Sequence, residues 1–132
     1  MSIRAFYRAT QVSAFDPPYN NVTMKVYYPA KPANTPHEQL TGAVSANTEQ
    51  APYPVLIILP GINVGPEAYA WLATLLAQQG IVTITYTLLS NEMPGFISQT
   101  PGIILDALKP EQFGQASCAA VLPAIFEDIA KM

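Results

Sequence analysis

The stretch that decides the fold is "PYPVLIILPGINVGPEAYAWLATLLAQQG", residues 52–80. Val55 to Leu59 runs without a polar break into Pro60-Gly61. A strand apolar on both faces is the pattern of a parallel strand covered by helices on either side. Pro66 suits the first turn of a helix, where its missing N–H costs nothing. Tyr69, Leu72, Ala73 and Leu75 or Leu76 then supply one apolar stripe, and Gly80 a left-handed stop. Ile81-Val82-Thr83-Ile84-Thr85-Tyr86 is short and β-branched, the signature of a second strand. Residues 55–86 therefore predict a strand–helix–strand unit, which crosses over right-handed into a parallel sheet.

Working outward, residues 5–14 and 22–28 predict an antiparallel pair of strands. In the second, Val22, Met24, Val26 and Tyr28 alternate with Thr23, Lys25 and Tyr27, a period of two with one face buried. Between them lies a segment of turn formers, Asp16-Pro17-Pro18-Tyr19-Asn20-Asn21. Residues 29–54 hold five prolines without periodicity and predict a surface loop. Residues 87–110 are apolar but broken by Pro94-Gly95 and Pro101-Gly102, so a structured loop is expected there. Leu122, Ile125, Phe126 and Ile129 mark a closing amphipathic helix over 122–131, with Glu127, Asp128 and Lys131 on its wet side. That helix reaches Met132 without a glycine cap or polar tail, so the expectation is a single domain, 1–132, that stops inside its architecture.

Composition narrows the function classes. Of 132 residues half are hydrophobic and 11% charged, an interior-rich balance against the usual quarter. The net charge of −3 and the scattering of Arg4, Arg8, Lys25, Lys31, Lys109 and Lys131 leave no basic footprint for nucleic acid and no polybasic membrane patch. Cys118 is alone, which excludes an intrachain disulfide and a cysteine-based metal site. No run approaches the ~20 apolar residues of a membrane span, and the N-terminus lacks a signal-peptide core. A cytoplasmic location follows as the expectation.

Two antiparallel strands, a long loop, an apolar strand ending in Pro-Gly-x-Asn, a helix and another strand resemble the N-terminal half of an α/β-hydrolase. More narrowly, "YPVLIILPGINVGPEAYAWLATLLAQQGIVTITY" is similar to the branch of dienelactone hydrolase, chlorophyllase and platelet-activating-factor acetylhydrolase. The likeness extends over about residues 6–131 and is most specific over 53–86. It implies an α/β fold, helices on both faces of the sheet, and hydrolysis of an apolar carboxylic ester without a metal or cofactor. It implies that the backbone N–H of Ile62, after Pro60-Gly61 and beside Asn63, is an oxyanion-hole donor. A fixed amide aimed at a developing oxyanion contributes ~3 kcal/mol. Gly61 would let the chain turn tightly and leave room for a carbonyl oxygen. The sequence departs from the branch at Pro60, where histidine is usual, although a backbone donor needs no imidazole. Pro-Gly after a strand is also a common plain turn.

The rest of the machinery is missing. The family carries its nucleophile in Gly-x-Ser-x-Gly after the fifth strand, followed by an acid and a histidine. None of the six serines (Ser2, Ser13, Ser45, Ser90, Ser98, Ser117) has glycine two residues before or after it. Cys118, in "QASCAAV", reads as a small buried hydrophobe. The one histidine, His37, lies before the turn rather than near the C-terminus, and Asp106, Glu127 and Asp128 read as surface or capping acids. No acid–base–nucleophile set can be assembled, and neither a phosphate loop nor a spaced metal-ligand set is present.

Three readings remain: an incomplete ester hydrolase, a non-catalytic α/β module that binds a partner or apolar ligand, and an unrelated flavodoxin-like binding domain. On the first, Leu88, Leu89, Met93 and Phe96 would line an acyl or alcohol pocket at the C-terminal end of a parallel strand, with only sheet-covering as their alternative. The strand order 1-2-4-3-5 implied by the resemblance would leave the strand at 55–59 without its outer neighbour. The expected partners are then a complementary C-terminal half or a second copy at that sheet edge, with Ile125, Phe126 and Ile129 also uncovered.

Overall fold

The computed structural model describes residues 1–13, 15–17, 19–61, 64–88 and 121–132. In chain order these form β1 (Ser2–Gln11), β2 (Asn21–Ala30), α1 (Pro36–Thr41), β3 (Val55–Ile58), a 3-10 turn (Pro66–Tyr69), α2 (Ala70–Gln78), β4 (Val82–Leu88) and α3 (Leu122–Ile129). The strands make one mixed four-stranded sheet in the order β1-β2-β4-β3. β1 runs antiparallel to β2, β2 antiparallel to β4, and β3 parallel to β4. The fold is α/β, with β3 at an open edge of the described sheet.

Register explains the core. Val22, Met24 and Val26 of β2 stand opposite Leu88, Tyr86 and Ile84 of β4, and Ile84 in turn stands opposite Ile57 of β3. This face is covered by α3 through Val121 and Ile125, and its central side chains are essentially removed from water. The other face presents Tyr27 to Ala73 and Ala77 of α2, with Ile3 and Ala70 packed alongside. Alanines at i and i+4 let the helix backbone approach the sheet closely. The helix therefore packs through Ala70, Ala73 and Ala77, while Trp71 and Leu75 are exposed. Of the expected stripe, Ala73 is fully buried, Leu72 and Leu76 are half-buried, and Leu75 faces solvent.

Both ends of α2 follow from local chemistry. Pro66 opens the 3-10 turn that leads into it. Gly80 adopts φ +80° and closes it. The Gly80 N–H donates to Ala77 O and the Ile81 N–H to Leu76 O, both at 3.0 Å, the paired bonds of a Schellman cap. The segment 29–54 is more ordered than proline content suggested. Thr35 and Glu38 form a reciprocal capping box on α1, and Gly42 ends it at φ 71°. Backbone N–H groups of Asn34 and Thr35 hold the Glu38 carboxyl below its usual pKa. Lys31 donates to Ser45 O and Asn47 to Pro29 O, tying the segment back onto the end of β2. His37 is exposed on α1.

The closing helix corrects one expectation. Asp128, read as a wet-side acid, is 8% exposed, whereas Phe126 is 59% exposed and Ile125 fully buried. The cause is Arg8 on β1, whose guanidinium grips Asp128 through Nε–Oδ2 and Nη2–Oδ1, the latter at 3.0 Å. A bidentate pair can hold a carboxylate against the sheet where a lone one would stay in water. This hydrogen bonding, opposed by burial, keeps the Asp128 carboxyl below its ordinary value of 3.8. A depressed carboxyl stabilises above its unfolded pKa and loses that contribution as pH falls through the folded value. Thermal melts of Asp128→Asn should therefore show a lower Tm than wild type at neutral pH, and a gap that closes below about pH 4. A gap that persists to about pH 2 would contradict this.

Candidate functional site

The candidate site is the connection from β3 into α2. β3 is four residues long and lies between Pro54 and Pro60, neither of which has a backbone N–H to donate to a ladder. After buried Pro60 the chain turns, and Val64 N–H donates to Gly61 O at 3.1 Å. Gly65 O then accepts from Ala68 N–H at 3.1 Å as the 3-10 turn begins.

What glycine supplies at 61 is space rather than a left-handed backbone. Among the described glycines only Gly42 and Gly80 have positive φ. A Cβ at 61 would instead meet Val64 Cγ2 at 3.1 Å and Tyr69 Oη at 3.5 Å. The tightness comes from a bond the sequence did not suggest. The Gly61 N–H donates to the Tyr69 hydroxyl at 2.8 Å, so Tyr69 is a latch on the turn as well as a packing residue. Tyr69→Phe should cost about 1 kcal/mol. It should also speed hydrogen exchange at the Gly61 amide, which NMR would read. Unchanged exchange at Gly61 would show that the latch holds nothing.

A second tie lies next to the turn. Glu67, in the 3-10 turn, accepts from Lys25 Nζ at 3.2 Å and from the Tyr7 hydroxyl at 3.3 Å. Lys25 Nζ also sits 5.2 Å from the ring centres of both Tyr7 and Tyr27. Partial burial disfavours the charged lysine, but Glu67 and the two tyrosines outweigh it and raise its pKa above the ordinary value. The alternation of β2 already put Lys25 on the face away from Met24 and Val26. What the alternation lacked was the partner, since Glu67 is 42 residues away.

Of the oxyanion residues, Gly61 is placed in this turn, while Ile62 and Asn63 lie outside the described residues. The amides on either side of them, Gly61 and Val64, are both engaged within the turn. Leu88 is buried in the core opposite Val22. Leu89, Met93 and Phe96 lie outside the described residues, as do Asp106 and Cys118.

A groove of about 440 Å3 lies elsewhere, among Phe6, Val26, Tyr28, Val55, Val82 and Ile129. Val55 and Val82 are the first residues of the parallel strands, so this groove is at the end opposite the turn. The Tyr28 hydroxyl in its lining donates to Val44 O. Among the described residues no cluster of His, Cys, Asp and Glu could hold a metal ion, and no helix is long and apolar enough to cross a membrane. Compared with protein-family models, curated proteins and solved structures, the chain matches none.

Proposed function

We propose that this chain is the N-terminal half of an ester hydrolase of the α/β-hydrolase fold, similar to the dienelactone hydrolase, chlorophyllase and platelet-activating-factor acetylhydrolase branch. Its role is to supply the oxyanion turn at residues 60–65. The observation that carries the reading is the strand order β1-β2-β4-β3 with β3 and β4 parallel. That is the order the resemblance implies up to its fifth strand. The turn at the C-terminal end of β3, latched by Tyr69, adds support, because open α/β sheets bind ligands at that end. Ile62 is the donor assigned to the oxyanion, with Asn63 beside it. The nucleophile, acid and late histidine must come from a complementary half that docks at the β3 edge.

The chain alone should give no turnover of p-nitrophenyl esters above background. Co-expressed with the C-terminal half of an enzyme of that branch, it should form a complex that hydrolyses them. Turnover by the chain alone that disappears when one of its six serines is replaced would overturn the assignment. So would halves that fail to associate.

The apolar groove favours a second reading, a non-catalytic module that binds an apolar ligand or partner. It is distinguished by saturable binding of a fatty acid to the chain alone, lost on Val82→Glu.

A further inference from the structure

The 3-10 turn Pro66–Tyr69 stands between the sheet and the turn at Gly61, and none of its residues is buried. Burial therefore does little to fix its position. Pro66 and Ala68 carry no polar side-chain group, so side-chain hydrogen bonds to the rest of the fold fall to Glu67 and Tyr69. Glu67 Oε1 accepts from Lys25 Nζ at 3.2 Å and from the Tyr7 hydroxyl at 3.3 Å, which ties the 3-10 turn to the sheet. Tyr69 Oη accepts from the Gly61 N–H at 2.8 Å, which ties it to the end of β3. At about 120° per residue, side chains two apart in a 3-10 turn point in different directions, so one short piece of backbone spans both attachments.

Lys25 is the fixed end of this arrangement. Register places it between Tyr7 of β1 and Thr85 of β4. Its side chain is 19% exposed, against 63% for Glu67. The rings of Tyr7 and Tyr27 each lie 5.2 Å from its Nζ. An exposed ion pair is worth little in part because two long side chains must be ordered to make it. Here the sheet and the two rings already order the lysine, and only the glutamate remains to be held.

We infer that Lys25 is a positioning residue for the turn at residues 60–65. It holds Glu67, Glu67 holds the 3-10 turn, and the 3-10 turn sets the Tyr69 hydroxyl against the Gly61 amide. The inference rests on the reading of that turn as an oxyanion turn, because the peptide after Gly61 carries the amide of Ile62. Its test needs no ester and no complementary half, so a failed clamp and a failed hydrolase reading give different results.

The test is amide hydrogen exchange, read by NMR on the 15N-labelled full chain. The variants are Lys25→Met, Glu67→Ala, Tyr69→Phe and the double variant Lys25→Met/Tyr69→Phe. Lys25→Met and Glu67→Ala should each speed exchange at Gly61 about three- to five-fold. The Ile84 amide, in the middle of the sheet, should keep its wild-type rate in both. In the Tyr69→Phe background, Lys25→Met should add nothing at Gly61, because the lysine acts there only through the latch. Unchanged exchange at Gly61 in either single variant would overturn the inference. So would equal acceleration at Gly61 and Ile84, which would reduce Lys25 to a general stabilising residue. An undiminished effect of Lys25→Met in the Tyr69→Phe background would overturn it as well.

Discussion

Replacing Ile84 by alanine is expected to lower stability by about 2–5 kcal/mol, a large fraction of the roughly 5–15 kcal/mol that such a domain possesses. Ile84 is fully buried, at the centre of the sheet, with Val26 on one side and Ile57 on the other. It belongs to the cluster that holds α3 through Val121 and Ile125, so the void would open under a helix as well as between strands. Ile84→Val removes one methylene and should cost only about 0.5–1.5 kcal/mol. Leu40→Ala, at a residue 88% exposed, should stay within about 0.5 kcal/mol. Denaturant unfolding of the three variants checks the series. A loss below about 1 kcal/mol for Ile84→Ala would mean that this face can collapse around the gap and is not one packed core.

The isolated chain is expected to self-associate through β3, and Leu56→Lys should weaken that association more than ten-fold. β3 pairs only with β4 among the described residues, so its outer backbone groups have no ladder. Val55 is 47% and Leu56 37% exposed, on opposite faces of the strand, and Leu59 just beyond it is 48% exposed. No charged residue lies between Glu49 and Glu67, so the edge lacks the lysines by which exposed strands usually repel a second chain. Pro54 and Pro60 stand outside the four paired residues and leave them available. Light scattering across a concentration series reads the outcome. In the ester-hydrolase reading, a complementary half should compete with self-association for the same edge. A monodisperse wild-type monomer at high micromolar concentration would contradict this prediction and remove the need for a partner there.

Much of the fold was legible where chemistry is local. The alternation of Val22, Met24 and Val26 identifies a half-buried strand because side chains in a strand point alternately to its two faces. The unbroken run Val55–Leu59 identifies a parallel strand, found over Val55–Ile58, and Pro66 and Gly80 mark the limits of the helical segment that follows it. These features rest on backbone geometry that each residue imposes on its immediate neighbours. The capping box of α1 was equally local, in Thr35 and Glu38, but was masked by the surrounding prolines.

What only the tertiary structure decided are the pairings across long separations. Asp128 and Glu127 are adjacent acids of similar intrinsic character, yet Asp128 is buried because Arg8, 120 residues earlier, stands on the sheet face that α3 covers. Tyr69 looks like one more apolar stripe residue until the turn brings the Gly61 N–H to its hydroxyl. α2 sets Ala73 and Ala77, both fully buried, against Tyr27 of the sheet, while Leu72 and Leu76 are half-buried and Leu75 stays exposed. Hydrophobic pattern is a property of the residue and its neighbours along the chain. Which polar group is buried, and which amide is engaged, depends on partners that only folding brings within about 3 Å.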